Sequence, residues 1–158
     1  MELHISELSH SEIGDYCALV REVFDEFVAP DYPEDGNRTF YEFMSKEKVH
    51  ERMHTGALTI AAKSGGGLVG ACAFRDLSHL STFFVKKEFQ GRGVGRMMLA
   101  YGLRKIRAEY PDVETVTVNS SPFAVAVYKR LGFRASADRQ QKDGIIFYPM
   151  EYPVRFYA

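Results

Sequence analysis

Apolar residues recur along this chain with two different periods, and the points where the period changes divide it into elements. Leu3, Ile5 and Leu8 begin with near-alternate spacing, which predicts a short first strand. From Ile13 the spacing turns helical. Ile13, Tyr16, Cys17, Val20, Val23, Phe24 and Phe27 share one face of a helix that Ser9 or Ser11 can cap. Pro30 follows, and the stretch APDYPEDGN reads as a loop. A second helical region, about 37 to 54, carries Phe40, Phe43, Met44 and Val49 and breaks near Ser45.

The pattern then becomes strand-like. ALTIAAK (57–63) and GLVGACAFRDL (67–77) are rich in β-branched and small apolar residues, and Gly65, Gly66 and Gly67 turn one into the other as a hairpin. HLSTFFV (79–85) is a third strand of this meander. A helix over 94–109, a strand VETVTV (113–118) and a helix begun by Ser121 and Pro122 come next, with Gly132 as a left-handed stop. The tail from Phe133 to Ala158 reads as two strands joined around Asp143 and Gly144. Pro149 and Pro153 have no N–H to donate, which predicts an edge or an irregularity for the last strand. The order of elements gives a mixed α/β fold in a single domain, 1–158, with about four helices.

Composition narrows the function classes. At 158 residues and 46% hydrophobic content the chain can bury a core, and a formal net charge of −1 gives no general attraction to nucleic acid or an anionic membrane. Cys17 and Cys72 lie far apart within apolar stretches, so they read as buried free thiols and not as a disulfide or zinc framework. The N-terminus lacks the pattern of a signal peptide and no run is long enough to span a bilayer, so the expected location is cytoplasmic.

Candidate chemistry sits in FVKKEFQGRGVGRMMLA (84–100). Gly91, Gly93 and Gly95 end a strand-to-helix connection, where unpaired N–H groups and the positive end of the helix dipole favour an anion. Arg92 and Arg96 add charge, with Lys86 and Lys87 upstream, so the stretch predicts a phosphate or pyrophosphate site. The dinucleotide fingerprint fails because Arg96 stands where its third glycine is required. A Walker loop fails because Gly95 is followed by Arg96 and Met97.

What remains, Gln90-Gly91-Arg92-Gly93-Val94-Gly95, resembles the coenzyme A signature of the GNAT superfamily, the Gcn5-related N-acetyltransferases. VNSSPFAVAVYKRLGF (118–133) resembles that superfamily's second signature, a strand, turn and helix with an embedded tyrosine. The resemblance implies a mostly antiparallel sheet in which the strand at 79–85 splays from the strand at 113–118 to admit the pantetheine arm. Acetyl-CoA is then the cosubstrate, with no metal. The resemblance places Phe83, Phe84 and Val85 along the arm and residues Gln90, Gly91, Arg92, Gly93, Val94, Gly95 and Arg96 at the pyrophosphate. Asn119, Ser121, Phe123 and Ala124 face the other side of the arm. Ser121 stands where family members commonly have Asn, so either Ser121 or Asn119 makes that polar contact.

Tyr128 is the implied acid that protonates the departing thiolate. His79, Asp76, Glu26 and a water relay all remain open as the base. The acceptor implied is a small-molecule or peptide amine, met by acids and aromatics in FDEFVAPDYPEDG: Asp25, Glu26, Asp31, Glu34 and Asp35 beside Phe24, Phe27 and Tyr32. The competing functions are a coenzyme A-sensing module without turnover and a nucleic-acid binder using Lys86, Lys87, Arg92, Arg96, Arg104, Lys105 and Arg107. Monomer and homodimer are both compatible, the latter through an edge-like last strand.

Overall fold

In the computed structural model, which describes residues 2–154, alternation along the central strands feeds two cores. Strand β1 is His4–Glu7, β2 Leu58–Ser64, β3 Gly67–Arg75, β4 His79–Val85 and β5 Thr115–Ser120. The last three are β6 (Arg134–Ala135), β7 (Gln140–Lys142) and β8 (Ile145–Pro153). They lie in the order β1-β2-β3-β4-β5-β8-β6, with β7 paired to β8. All pairings are antiparallel except β4 with β5.

Ile60, Ala62, Cys72 and Phe74 turn to one face of the sheet, where they meet Met98, Leu103 and Ile106 of helix α4 (Val94–Glu109) and Tyr128 of α5 (Val125–Leu131). Ala61 and Ala71 turn to the other, against α1 (Ile13–Phe27) and Val49 of α3 (Lys46–His54), with α2 (Glu34–Phe43) alongside. Small residues on that second face let α1 approach β3 closely, while burial of each large side chain in the first core supplies roughly 1.5–3 kcal/mol. Among the described residues, no helix is long and apolar enough to cross a membrane.

Several expected boundaries move for local reasons. The break at Ser45 is a cap: its hydroxyl accepts from the Lys48 N–H at 3.2 Å, so the expected second helical region is two helices, giving five in all. The supposed loop APDYPEDGN already contains the start of α2, because Pro33 precedes a first turn whose Glu34 and Asp35 complement the helix dipole. The described part of the tail holds three strands where two were expected, the added one being the two-residue β6, and residues 155–158 lie outside the described residues.

The last strand is not at an edge. β8 pairs with β5 on one side and with β6 and β7 on the other. Pro149 is tolerated there because its carbonyl accepts from Ser136 at 3.0 Å while its missing donor falls in the break between β6 and β7. The sheet's edges are β1 and the β6–β7 side, so the dimer argument from an edge-like β8 loses its basis.

One ion pair ties the start of α1 to the sheet. Glu12 meets Lys63 of β2 and accepts from the Ser9 amide at 2.9 Å, and the lysine first, then that amide, hold its carboxyl down at about 2. A carboxyl with a depressed folded pKa adds stability above its ordinary value and loses it as pH falls toward the folded one. Glu12→Gln should therefore lower the unfolding free energy by about 1 kcal/mol at neutral pH. In urea titrations that deficit should narrow as pH falls from 4.5 toward 2. A deficit independent of pH would show that the pair contributes no such linkage.

Candidate active site

The site begins where a ladder stops. β4 and β5 run parallel but pair only at His79 with Thr117 and Leu80 with Val118. At the next residue the β3–β4 register shifts: Phe74 faces Leu80 and Ala73 faces Thr82, which leaves Ser81 as a bulge. A bulge bends its strand and ends local pairing, and from here β4 follows β3 away from β5. The splay implied by the family resemblance is therefore present, and it opens toward Val85 and Ser120.

Backbone alternation identifies what faces the gap. The Lys86 N–H bonds the Val69 carbonyl on the β3 side at 2.9 Å, so Phe83 and Val85 turn their N–H and C=O groups away from β3, toward the gap. Across it the Thr117 N–H bonds Ser78 at 2.7 Å, so Asn119, two residues on, also directs its backbone into the gap. Phe84 departs from expectation: its backbone pairs with Ala71 of β3, and its ring packs in the α1–α3 core, 5.8 Å from that of Phe40.

Beyond β4 the three glycines do two different things. Gly91 and Gly93 have φ of 75° and 84°, with nothing within 4 Å of where a Cβ would sit. Their need is conformational, and the space above them is open to a ligand. Gly95 has no such φ; a Cβ there would lie 3.0 Å from the Phe83 ring, so it permits α4 to pack on β4. Because Met97 is the first helical donor, bonding Gly93 at 3.0 Å, the N–H groups of Val94, Gly95 and Arg96 precede the helical ladder, with no side-chain cap and no acid in the first turn. The Val94 side chain is core, so only its amide belongs to the site. Arg92 extends over the Phe89 ring at 5.7 Å, and Arg96 donates to the Arg130 carbonyl at 3.4 Å. Gln90 is used differently from expectation: its amide donates to the Val85 carbonyl at 3.0 Å and latches the loop. The arrangement accepts an anionic head at the turn and an extended polar arm in the gap.

α5 supplies the other wall. Ser121 closes the turn that precedes it, its hydroxyl accepting from the Ala124 N–H at 3.2 Å, while Asn119 is exposed beside the gap. Phe123, 38% exposed, meets Phe27 of α1 at 4.9 Å between centroids, bridging the wide end of the splay. Tyr128 is 5% exposed, its ring 5.6 Å from Phe83 and 5.3 Å from Phe133. Its position follows from how α5 ends. Phe133 donates to the Tyr128 carbonyl and Gly132 to that of Lys129, at 2.9 and 3.1 Å. This is a Schellman motif, whose usual apolar contact is here the Tyr128–Phe133 ring pair. Among the described residues the Tyr128 hydroxyl has no hydrogen-bond partner. Burial pushes its phenol up. Tyr32, in the α1–α2 connection, is itself pushed up to about 12 by burial and then Asp31.

The base candidates separate. Glu26 is bound by Lys87 at 3.0 Å, and Asp76 is an exposed turn residue at φ 55° facing Arg75 at 3.7 Å. His79 is half-buried at the closed end of the gap, its Nδ1 2.8 Å from the Thr117 hydroxyl. Burial, then Arg75, push its pKa down against the opposing Asp76. The acidic rim is largely spent within the chain: Asp25 meets Tyr41 and Arg21, Glu34 meets Arg38, and Asp35 accepts from the Gly36 N–H. Several basic residues are likewise engaged, Lys105 with Glu7 at 2.6 Å and Arg107 with the Val154 carbonyl at 3.2 Å.

Known proteins share this frame. A family model described as an acetyltransferase (GNAT) domain matches residues 28–154, and the chain belongs to that family. An 87-residue stretch is 34% identical to an uncharacterized N-acetyltransferase, ycf52, of Gracilaria tenuistipitata var. liui, covering 52% of this chain and 46% of that protein. The match thus spans about half the relative's length. The PaiA N-acetyltransferase of Thermoplasma acidophilum, solved in complex with coenzyme A, superposes with a TM-score of 0.80 at 18% identity, over 97% of this chain and 99% of that one. A GCN5-related N-acetyltransferase from Rhodopseudomonas palustris gives 0.81 at 19% identity, over 97% and 96%. At these identities the likeness establishes the fold.

The Schellman motif yields a direct check. A Cβ on Gly132, at φ 112°, would lie 2.8 Å from the Tyr152 ring. Gly132→Ala should cost about 2 kcal/mol of stability in urea unfolding, from left-handed strain and overpacking together. A change within about 0.5 kcal/mol, the range of an ordinary surface substitution, would mean that the end of α5 does not hold Tyr128 in place.

Proposed function

We propose that this chain transfers an acetyl group from acetyl-CoA to a primary amine. The observation that carries the reading is the conjunction of a strand gap lined by unpaired backbone with an open helix start, at φ-positive glycines, at the mouth of that gap. Backbone groups left without partners are destabilising unless something else bonds them. Together they fit a ligand with a phosphate head and an amide-bearing arm, which pairs with exposed strand groups as an added strand would.

When bound, acetyl-CoA supplies the activated acyl group and its thiol is the leaving group. The N–H groups of Phe83 and Val85 face the gap, where they can hold a thioester carbonyl and stabilise the charge that develops on its oxygen. His79 stays neutral at pH 7 because its pKa is lowered, so it can take a proton from the substrate ammonium through water before the free amine attacks. Tyr128 keeps its proton because its pKa is raised, and donates it as the thiolate leaves. In water that transfer runs uphill, from a phenol near ~10 to a thiol near ~8.5. Burial raises Tyr128 and would raise a thiol beside it as well, as it does Cys72, so the transfer depends on the phenol being positioned against the thiolate. The second proton on the nitrogen leaves to solvent as the intermediate collapses; solvent returns a proton to Tyr128 and takes one from His79, which completes the cycle.

The test is release of free thiol from acetyl-CoA against a panel of amines. Acceptor-dependent release is expected, and its absence across a broad panel would favour a coenzyme A-sensing module. Tyr128→Phe should reduce kcat by roughly 10²- to 10⁴-fold while leaving coenzyme A affinity unchanged. Turnover equal to wild type would remove Tyr128 from the mechanism. In the pH profile of kcat/KM, the acidic limb should fall below the ordinary histidine value of 6.5 and disappear in His79→Gln. A limb that persists in that variant assigns the base elsewhere.

A further inference from the structure

One rung of the sheet is polar across five strands. The register sets Arg75 of β3 opposite His79 of β4, His79 opposite Thr117 of β5, Thr117 opposite Glu151 of β8, and Glu151 opposite Arg134 of β6. Directly opposed side chains share a face, so these residues stand in line on the face that carries Ala71 and α1. It is also the last rung before the β4–β5 gap. Within it Glu151 is taken by Arg134 at 3.0 Å and Arg75 faces Asp76 at 3.7 Å, so the contact left at the centre is between His79 and Thr117.

A hydroxyl has one proton, and that sets the direction of the contact. Thr117 Oγ1 lies 2.8 Å from His79 Nδ1 and 3.3 Å from the Ser78 carbonyl oxygen. A carbonyl only accepts, so the hydroxyl keeps the second bond only by donating to it. Its lone pair is then the partner of Nδ1, which must carry the ring proton. Ser78 is itself fixed, because its carbonyl also accepts from the Thr117 amide at 2.7 Å. The chain runs from Nδ1–H to Oγ1–H to the Ser78 carbonyl, and every member is used. In the reverse direction the hydroxyl would donate to Nδ1, forfeit the Ser78 bond and consume the ring's lone pair. The two-bond direction leaves that lone pair on Nε2, which has no partner among the described residues.

We infer, resting on the reading above in which His79 is the base, that Thr117 is a positioning residue. It holds His79 as the Nδ1–H tautomer and so presents Nε2 to the water that carries the substrate's proton. One bond serves both states of the ring. When Nε2 takes a proton, Nδ1–H goes on donating to Thr117 with no hydroxyl to turn, and the bond strengthens because its donor is now charged. The charged groups around His79 do not replace it. Arg75 and Asp76, from the β3–β4 turn, act on the ring in opposite senses, and Glu151 on β8, beyond Thr117, is bound by Arg134.

The test reads the ring directly in the full chain, by long-range proton–nitrogen correlation at about pH 8, above the histidine range. The His79 signal is the one lost in His79→Gln. Wild type should show Nδ1 protonated and Nε2 bare. Thr117→Val keeps a β-branched side chain at an exposed strand position and removes only the hydroxyl. It should bring the Nε2–H tautomer into the spectrum. With acetyl-CoA and the most active amine of the panel above, it should lower kcat/KM about three- to tenfold, the worth of one hydrogen bond. The acidic limb should move to lower pH, because the imidazolium loses an acceptor. Thr117→Ser restores the hydroxyl and should return all three readouts to wild type. A wild-type ring protonated at Nε2, or a wild-type tautomer and acidic limb in Thr117→Val, would overturn the role of Thr117 alone while amine-dependent turnover continues. No amine-dependent release across the panel, or turnover and an acidic limb unchanged in His79→Gln, would remove the reading beneath it and the positioning role as well.

Discussion

The interruption of the β4–β5 ladder after Leu80 is the constraint on which the rest of the structure depends. Ending a parallel pairing inside a sheet leaves donors and acceptors without partners, at about 1–3 kcal/mol for each group that is also shut away from water. The sheet withstands this because both halves are secured independently. β4 is held along its length by β3, and β5 by six register pairs with β8. The bulge at Ser81 localises the change to one residue, so the strands diverge without loss of either ladder. A gap so made is a standing demand for an extended, hydrogen-bonding occupant.

The elements around the gap are arranged for that occupant and not only for each other. Gly95 brings α4 onto Phe83, and Phe83 in turn touches the Tyr128 ring, so the glycine turn, the gap and the candidate acid form one packed unit. The Schellman end of α5 fixes Tyr128 from behind through Phe133. Latching of the loop by Gln90 and bonding of Arg96 to the end of α5 tie the same pieces together from outside. The phenol is thus held by apolar contacts on its ring, while its oxygen is free to bond a ligand.

Much of this was legible in the sequence because it rests on local chemistry. Glycines at alternate positions between a strand and a helix, the helical stripe ending in Tyr128 and Leu131, and the stop at Gly132 each reflect constraints within a few residues. What escaped depends on distant partners. The first turn of α2 looked like loop because Asp35 and Gly36 are turn formers, and nothing local reveals that Gly36 must be small to meet Gly144. Pro149 suggested an edge or an irregularity, and the break between β6 and β7 is the irregularity that absorbs its missing donor inside the sheet. Gln90 belongs to the signature spelling but serves the loop, and Phe84 lies in the expected strand but faces the other core. In the acidic run, Asp25, Glu34 and Glu26 have partners in Tyr41, Arg38 and Lys87 that local sequence does not reveal.

The central claim is that Phe83, Val85 and Asn119 hold unpaired backbone groups in reserve for coenzyme A. Native-state amide hydrogen exchange tests it most directly, read at those three residues with and without saturating coenzyme A. The account predicts fast exchange at Phe83, Val85 and Asn119 in the free protein and strong protection when coenzyme A is bound, with Thr82 and Phe84, paired to β3, slow in both states. Protection already present without ligand, or none gained with it, would contradict the claim that the splayed strands form the binding site.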